Sequence, residues 1–237
     1  MILLLGGTSE TAAMATLLAE TGYKVLVSTA TDIALDVGQH PAISRRTGPL
    51  DGEQMAALIR SAGVQAIVDA THPYAVNVKA IAQRASREAG VPYLALLRPT
   101  AVRPDDSVHL ASTHEEAAAK ACAFGRPILL TTGSRHLVPY VREARRTGCP
   151  LFVRVLPEPI SLEACRDAGI SPEAIIAARG PFSVAENRAA IRQHRIGVLV
   201  TKDSGAEGGV PAKLEAASAE GCQVVVVARP QVAPPNC

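Results

Sequence analysis

Short apolar runs alternate along this chain with longer segments in which apolar residues recur every three or four positions. The short runs predict buried β-strands, and the longer segments predict helices with one apolar face. In the first half, strands are predicted at 2–5, 24–28, 43–45, 66–68 and 93–97, and helices at 9–21, 51–62 and 75–89. In the second half, strands are predicted at 127–131, 151–155, 174–178, 197–201 and 223–228, and helices at 135–147, 161–168, 183–194 and 210–220. This alternation is typical of parallel sheets with crossover helices.

A stretch with neither pattern separates the two halves. Residues 99–112 therefore predict a linker. A further helix is expected to begin near Thr113, because Thr113 and Glu116 fit a capping box. The organisation that follows is a first domain at 1–98 and a second domain at 113–237.

The two halves also repeat one another, with a period of about 130 residues, and they match at the predicted strand ends. Gly6-Gly7-Thr8-Ser9 is echoed by Thr132-Gly133-Ser134, and Thr47-Gly48-Pro49-Leu50 returns as Arg179-Gly180-Pro181-Phe182. The period is too long for a solenoid unit and indicates tandem duplication of a small domain. We therefore predict an α/β protein of two similar Rossmann-like parallel-sheet domains in tandem, with a cleft between them.

Composition narrows the class of protein. The net charge is only +2 and the basic residues are scattered, which argues against nucleic acid as the main partner. No apolar run approaches the ~20 residues that span a bilayer, and the N-terminal run reads as a strand rather than a signal peptide. The five cysteines form no CxxC pair, so we predict free thiols and a cytoplasmic location. The histidines show no metal-binding spacing, and no metal is assigned.

The first candidate site is the turn Gly6-Gly7-Thr8-Ser9 after the first strand. A strand–glycine–helix turn points backbone N–H groups and the positive end of a helix toward a phosphate. This turn is shorter than a full GxGxxG motif. We predict that Gly6, Gly7, Thr8 and Ser9 bind a dinucleotide. The alternative is a plain turn with Thr8 or Ser9 as the helix N-cap.

The end of the second strand bears on which dinucleotide is used. An NAD site commonly places an acidic residue here to hold the ribose hydroxyls. This chain has Ser28 and Thr29, with no acid before Asp32. Hydroxyl groups would accommodate a 2′-phosphate, and Arg45 or Arg46 on the next strand would add positive charge. NADPH is therefore favoured over NADH, and the alternative is an ordinary Ser/Thr-rich loop.

A third cluster of polar groups follows the fourth strand. Ligands of open α/β sheets lie at carboxyl strand ends, so we predict that Asp69 and Thr71 contact the cofactor. His72 and Tyr74 are predicted to contact the substrate, with His72 as the proton donor. Pro73 suits the first turn of the next helix. The alternative is that Asp69 or Thr71 caps that helix and His72 only packs.

The segment Asp69-Ala70-Thr71-His72-Pro73-Tyr74-Ala75, behind an N-terminal Leu3-Leu4-Leu5-Gly6-Gly7-Thr8-Ser9-Glu10, closely resembles the precorrin-6A reductase family of cobalamin biosynthesis. Further matches are Arg98-Pro99, Thr201-Lys202-Asp203-Ser204-Gly205, Gly208-Gly209, Lys213 and Arg229-Pro230. The resemblance covers nearly the whole chain. It implies a two-domain Rossmann-like oxidoreductase in which NADPH reduces one double bond of the precorrin-6A macrocycle, giving precorrin-6B. The glycine-rich turn of the family maps onto Gly6, Gly7 and Thr8.

The resemblance also implies a small-molecule tetrapyrrole partner with several carboxylates. A glycine-rich loop that carries Lys and Ser suits such anions. We predict a substrate site formed by Lys202, Ser204, Gly205, Gly209 and Lys213. The alternative is a solvated loop. Lys202, like Tyr74, is also a second choice of proton donor after His72, and a bound water could replace all three.

Two neighbouring residues of the second half are less clear. Arg135, next to His136, either holds another substrate carboxylate or lies on a solvated helix face. The sequence also leaves open the oligomeric state and whether the substrate contains cobalt.

Rival functions remain. A short-chain dehydrogenase/reductase would need a YxxxK pair, but Lys79 lies one residue too far from Tyr74. A non-catalytic NADPH-sensing module would keep the glycine turn and not need the residues at 69–75. A glycosyltransferase-like pair of Rossmann domains is a third alternative.

Overall fold

The computed structural model describes residues 1–32, 35–103 and 106–230. It contains two units, Met1–Arg98 with Pro230 and Pro99–Arg229, each built on its own sheet. Residues 231–237, the end of the predicted second domain, lie outside the described residues, as do residues 104 and 105 of the predicted linker. No helix of the described ranges is long and apolar enough to cross a membrane.

The first unit is a five-stranded parallel sheet with order β3-β2-β1-β4-β5. Its elements are β1 (Ile2–Leu5), α1 (Thr11–Glu20), β2 (Val25–Thr29), β3 (Ile43–Thr47), α2 (Gly52–Ser61), β4 (Ala66–Asp69), α3 (Val76–Ala89) and β5 (Tyr93–Ala95). Strand β1 is buried along its whole length because both faces of the sheet are covered. Leu3 and Leu5 pack with Met55 on one face, and Leu4 packs with Ala15 on the other.

The second unit is a six-stranded parallel sheet with order β6-β11-β10-β7-β8-β9. Its elements are β6 (His109–Ala111), α4 (His114–Ala123), β7 (Ile128–Leu130), α5 (Val138–Thr147), β8 (Leu151–Val155), α6 (Pro159–Asp167), β9 (Ile175–Ala177), α7 (Val184–Gln193), β10 (Val198–Lys202), α8 (Val210–Ala219) and β11 (Gln223–Val227). Two short 3₁₀ turns, Pro172–Ala174 and Ala206–Gly208, precede β9 and α8.

The two sheets have the same strand order. The series β3-β2-β1-β4-β5 corresponds to β9-β8-β7-β10-β11, and the second sheet adds β6 beside β11. The predicted fold class, two similar parallel-sheet α/β domains in tandem, is confirmed. Because all strands are parallel, the carboxyl ends of each sheet meet along one edge, where polar groups from separate chain segments come together.

Local differences from the sequence prediction have simple causes. Strand β6 lies within the predicted linker, and its side chains are mostly exposed, so it leaves no apolar run. Helix α3 begins at Val76, so Pro73 belongs to the preceding turn rather than to the first helical turn. Before α4, Thr113 accepts from the Glu116 N–H, but the Glu116 carboxylate accepts from the Ser112 N–H, so the capping box is only half formed.

Candidate functional site

The turn after β1 is fixed at several points. The Gly6 N–H donates to the Ser28 carbonyl (2.9 Å), and Thr11 Oγ1 accepts from the N–H groups of Gly7 and Thr8 (3.1 Å each). A Cβ at Gly6 would lie 2.6 Å from Thr11 Cγ2, and Gly7 has a φ of 115°. Both positions therefore require glycine, one for space and one for backbone conformation. The Thr8 hydroxyl donates to the Ala70 carbonyl (2.9 Å), which ties this turn to the end of β4.

Neither Thr8 nor Ser9 caps α1. Glu10 occupies the N-cap position and makes no side-chain capping bond. Its carboxylate instead pairs with Arg98 and accepts from the Ser9 hydroxyl (2.9 Å). The Ser9 N–H has no acceptor among the described residues. A turn with an exposed N–H at the start of a helix fits a phosphate group.

Hydroxyl and guanidinium groups meet at the neighbouring ends of β2 and β3. Arg46 Nη1 donates to Ser28 Oγ (2.7 Å), and Arg45 Nη2 donates to Thr29 Oγ1 (3.1 Å). Ser28 and Thr29 are buried, and the arginines are half-buried. In the part of the chain that the structure describes, no carboxylate lies within ion-pair distance of Arg46. This positive edge suits a phosphate monoester better than a bare ribose.

Asp69, at the end of β4, has its carboxylate turned into the protein. Oδ1 accepts from the Thr71 N–H (2.9 Å) and hydroxyl (2.6 Å). Oδ2 accepts from Lys79 Nζ (3.0 Å) and from the Tyr93 hydroxyl. Burial raises the pKa of Asp69, but these hydrogen bonds and the Lys79 charge outweigh it, so the pKa lies below its ordinary value. The carboxylate is ionised and is saturated by donors from its own unit.

These bonds fix the turn that carries His72 and Tyr74. His72 Nδ1 accepts from the Tyr74 N–H (3.3 Å), and the two ring centroids are 5.5 Å apart. Because Nδ1 acts as an acceptor, a neutral His72 carries its proton on Nε2. Both side chains are half-buried. Helix α3 has Ala75 at its N-cap, so neither Asp69 nor Thr71 caps it.

Two lysines lie at the carboxyl edge of the second sheet. Burial and the nearby Arg135 lower the pKa of Lys202 to about 8. Burial, with Arg154 and Lys202, lowers the pKa of Lys213 to about 8 as well. Lys213 Nζ donates to the Gly208 carbonyl (3.0 Å). Confinement of positive groups at one edge favours an anionic ligand.

The loop between β10 and α8 depends on its glycines. Gly205 and Gly209 have φ of 84° and 68°. A Cβ at Gly208 would lie 1.9 Å from Ser204 Oγ, so the backbone folds tightly over that buried serine. The Asp203 carboxylate pairs with Arg229 and also accepts from the Thr100 hydroxyl (2.7 Å).

A stacked histidine pair accompanies Lys202. The rings of His114 and His136 have centroids 4.2 Å apart, and His114 Nδ1 lies 2.9 Å from the Tyr140 hydroxyl. Burial, then His136 and Lys202, lower the pKa of His114 to about 4. Burial, then Lys202 and Arg135, lower the pKa of His136 too. Sequence reasoning missed His114 because it lies on a different element from His136.

Arg135 and His136 are exposed and precede α5, which begins at Val138. The turn rather than a helix face therefore carries them. Arg135 is close enough to lower the pKa of Lys202. Because β7 and β10 are neighbouring strands, Arg135 and Lys202 lie at the same carboxyl edge of the second sheet.

Sequence reasoning also missed Arg154, which is buried in β8. Its Nη2 donates to Asn187 Oδ1 (2.8 Å), and its guanidinium lies 4.0 Å from the Phe182 ring centroid. Burial lowers its pKa to about 10. A single arginine inside the apolar run of residues 151–155 was the available signal. Within the described ranges, no group of three or more His, Cys, Asp or Glu side chains is placed to bind a metal.

Comparison with known proteins identifies the family of this chain. The family model described as "Precorrin-6x reductase CbiJ/CobK" matches residues 1–236. A cobalt-precorrin-6A reductase of Priestia megaterium is 36% identical over 98% of this chain and 91% of its own. A precorrin-6A reductase of Rhodococcus erythropolis is 36% identical over 98% of this chain and 90% of its own. The solved structure of CobK precorrin-6A reductase superposes with a TM-score of 0.78 at 25% identity, covering 98% of this chain and 89% of that one. The chain belongs to the precorrin-6x reductase family.

Proposed function

We propose that this protein reduces one double bond of precorrin-6A, or of its cobalt complex, with NADPH, and forms the precorrin-6B oxidation state in cobalamin biosynthesis. One observation carries the proposal. In a chain of this family, β7 and β10 are neighbours, so Arg135 after β7 and Lys202 at the end of β10 lie at the same carboxyl edge, and Lys213 follows in the first turn of α8. These positive groups suit a macrocycle with several carboxylates.

The first unit supplies the cofactor part of the proposal. Gly6, Gly7 and Thr8, with the Ser9 N–H, would hold the pyrophosphate. The hydroxyls of Ser28 and Thr29, with the Arg46 guanidinium, would hold the 2′-phosphate. This arrangement favours NADPH over NADH, because a phosphate would join a guanidinium that has no carboxylate within ion-pair distance among the described residues. When bound, NADPH supplies the hydride.

Asp69 has a different role in this proposal from the one that its sequence position suggests. Its oxygens are occupied by Thr71, Lys79 and Tyr93, so it orders the turn at 70–75 rather than contacting the cofactor directly. Thr71 remains a proposed cofactor contact, because it follows Ala70, whose carbonyl accepts from the Thr8 hydroxyl of the glycine turn.

The second unit supplies the substrate part. Lys202, Lys213 and Arg135 would pair with acetate and propionate groups, and the backbone at Ser204, Gly205 and Gly209 would add N–H donors. Binding energy from these remote carboxylates would orient the macrocycle for hydride transfer.

Reduction also adds a proton to the macrocycle. His72 is our first choice of donor, because an imidazolium ring gives up a proton readily near neutral pH. The hydrogen bond from the Tyr74 N–H to Nδ1 orients the ring in its neutral form. Tyr74 and Lys202 are the second choices. A donor of this kind contributes about 10²–10⁴-fold to the rate.

The test is anaerobic incubation of the purified protein with precorrin-6A and either NADPH or NADH. We expect the nicotinamide absorbance to fall together with a change in the tetrapyrrole spectrum, and a product heavier by two hydrogens. Oxidation of NADPH without a change in the tetrapyrrole would overturn the proposal. Tight binding of NADPH without turnover would favour a sensing module instead.

A matched pair of variants tests His72. His72→Gln is expected to lower kcat about 10²-fold or more while the KM for precorrin-6A stays constant. His40→Gln is the control, because His40 Nδ1 also accepts a backbone N–H two residues on, from Ala42 (3.1 Å). Equal activity of the two variants would exclude His72 as the donor.

A further inference from the structure

Arg154 is a buried cation of β8 whose hydrogen-bond partner, Asn187, is neutral. Only 6% of the surface of Arg154 is exposed to solvent. Its neighbours are the neutral Asn187 amide and the Phe182 ring, and no Asp or Glu among the described residues lies within ion-pair distance. The acidic residue with an electrostatic effect on Arg154 is Glu186, which is beyond ion-pair distance. Its carboxylate accepts from the Ser183 N–H (2.8 Å) and hydroxyl (2.7 Å) at the start of α7.

This arrangement is unfavourable in the free protein. A buried charge loses much of its hydration, and one neutral hydrogen bond with one cation–π contact replaces it only in part. Buried charges in proteins are normally paired. An arginine kept in this state therefore indicates that an anion from outside the chain completes the pair.

The surroundings of Arg154 add to its positive potential. A Cβ built at Gly209, in the loop that precedes α8, would lie 3.7 Å from Pro181 Cβ. The start of α8, with Lys213, therefore packs beside the segment whose Phe182 ring covers Arg154. The charges of Arg154 and Lys202 both act on Lys213. Lys213 already donates to the Gly208 carbonyl, which holds its ammonium group at the β10–α8 loop. A guanidinium and an ammonium that repel one another are both stabilised by an anion shared between them.

We propose that Arg154 and Lys213 form one carboxylate-binding subsite of the second unit, which takes a single acetate or propionate group of the tetrapyrrole. The inference rests on the proposed function for the identity of the ligand. It adds Arg154 to the substrate-binding residues and pairs it with a particular lysine.

A purely structural role for Arg154 predicts a different result. Asn187 also donates to the carbonyls of Phe182 (3.2 Å) and Ser183 (2.9 Å), so Arg154 could serve only to anchor that segment. Loss of an anchor lowers stability and leaves ligand binding unchanged. Loss of a cation that binds a ligand carboxylate leaves the stability of the free protein equal or higher and lowers the affinity for the ligand.

The experiment compares Arg154→Met with wild type, using uroporphyrin as a stable tetrapyrrole polycarboxylate probe. We measure the thermal midpoint without the probe and the dissociation constant with it. The subsite predicts an equal or higher midpoint and an affinity at least about tenfold weaker. Arg192→Met is the matched control, because Arg192 pairs with Glu220 at an exposed position; its affinity should equal that of wild type.

A double-mutant cycle tests whether Arg154 and Lys213 bind the same carboxylate. Lys213→Met is also expected to weaken probe binding about tenfold, and the double variant should lose less than the sum of the two single losses, because both remove the same carboxylate contact. Additive losses, or unchanged affinity in Arg154→Met with a lower midpoint, would overturn the shared subsite. If Arg154→Met does not fold, unchanged probe affinity in Lys213→Met overturns the proposal and a tenfold loss supports it.

These measurements need neither NADPH nor turnover. A failed reductase assay with intact probe binding would refute the proposed function and leave the subsite standing. Normal turnover with unchanged probe binding in the variants would refute the subsite alone.

Discussion

Lys79 Nζ lies 3.0 Å from Asp69 Oδ2, and the Asp69 side chain is wholly buried. The pair joins the end of β4 to α3 in the first unit. Removing one partner of a buried ion pair leaves the other charge without compensation. The pair therefore contributes to the stability of the first unit, and the Asp69 carboxylate, through Thr71, holds the turn that carries His72.

We predict that Asp69→Asn lowers the free energy of unfolding by about 3–5 kcal/mol, because Lys79 then stays buried without an anion. Urea denaturation of the two proteins measures the difference. Glu88→Gln is the control: Glu88 pairs with Arg84 on the exposed face of α3, and its loss should change the free energy by less than about 0.5 kcal/mol. Similar losses in the two variants would contradict the structural role of Asp69.

The same carboxylate predicts an acid dependence. The pKa of Asp69 is below its ordinary value in the folded protein, so the unfolded chain binds its proton first as the pH falls. Its stabilisation is full above about pH 4 and is lost as the pH drops through the folded-state pKa. Unfolding free energies measured between pH 7 and acid should therefore fall less steeply in Asp69→Asn. An unchanged slope would assign the acid sensitivity to other carboxylates.

Arg46 is predicted to set the choice of cofactor. Arg46→Ala should raise the KM for NADPH about tenfold to a hundredfold and leave that for NADH nearly unchanged, because only the 2′-phosphate loses a charge-assisted contact. Steady-state kinetics with both nucleotides measures this ratio. Arg60→Ala, an exposed residue of α2, is the control and should change neither KM. Equal loss with both nucleotides would place Arg46 elsewhere in the site.

Because of Lys202 and Lys213, we expect protein stability and affinity for the tetrapyrrole probe to change in opposite directions with pH. Burial and neighbouring cations lower the pKa of each to about 8. Between about pH 8 and 10 the unfolded chain holds more protons than the folded one, so the stability of the free protein should rise with pH in that range. Affinity for uroporphyrin should fall over the same range, because only the charged ammonium groups attract carboxylates.

Thermal unfolding and probe titration at several pH values test the two slopes. Lys202→Met should reduce both of them. A stability that declines from pH 8 to 10 in wild type, with the same decline in Lys202→Met, would contradict the assigned pKa shift.

Thr201 carries a buried hydroxyl that has no hydrogen-bond partner in the described part of the chain. Thr201→Val keeps the shape of the side chain and removes this unsatisfied group, so we expect it to be neutral or to stabilise by about 1 kcal/mol. Thr131→Val is the matched control, because the Thr131 hydroxyl donates to the Val200 carbonyl (2.9 Å), and its loss should destabilise by about 1 kcal/mol. Denaturation that ranks the two variants in the opposite order would contradict this assignment.

The sequence by itself determined the order of strands and helices in both halves and the duplication that relates them. Those features depend on local patterns: buried strands are continuous apolar runs, and helices repeat at their own period. Strand β6 was not predicted, because two of its three residues are exposed and a strand at the edge of a sheet needs no apolar run. The motif at 69–75, together with the N-terminal glycine turn, also predicted the family, which the comparisons confirm.

Only the tertiary structure decided which polar groups act together. The sequence position of Asp69 predicts a contact with the cofactor. In the structure, its Oδ2 accepts from Lys79 and Tyr93, which lie on later elements. The proposed partners Arg154 and Lys213 come from β8 and α8, and nothing in the sequence between them links the two residues. Strand order determines these neighbours, because parallel pairing brings the ends of distant segments to one edge, and an electrostatic interaction depends on distance in space rather than along the chain.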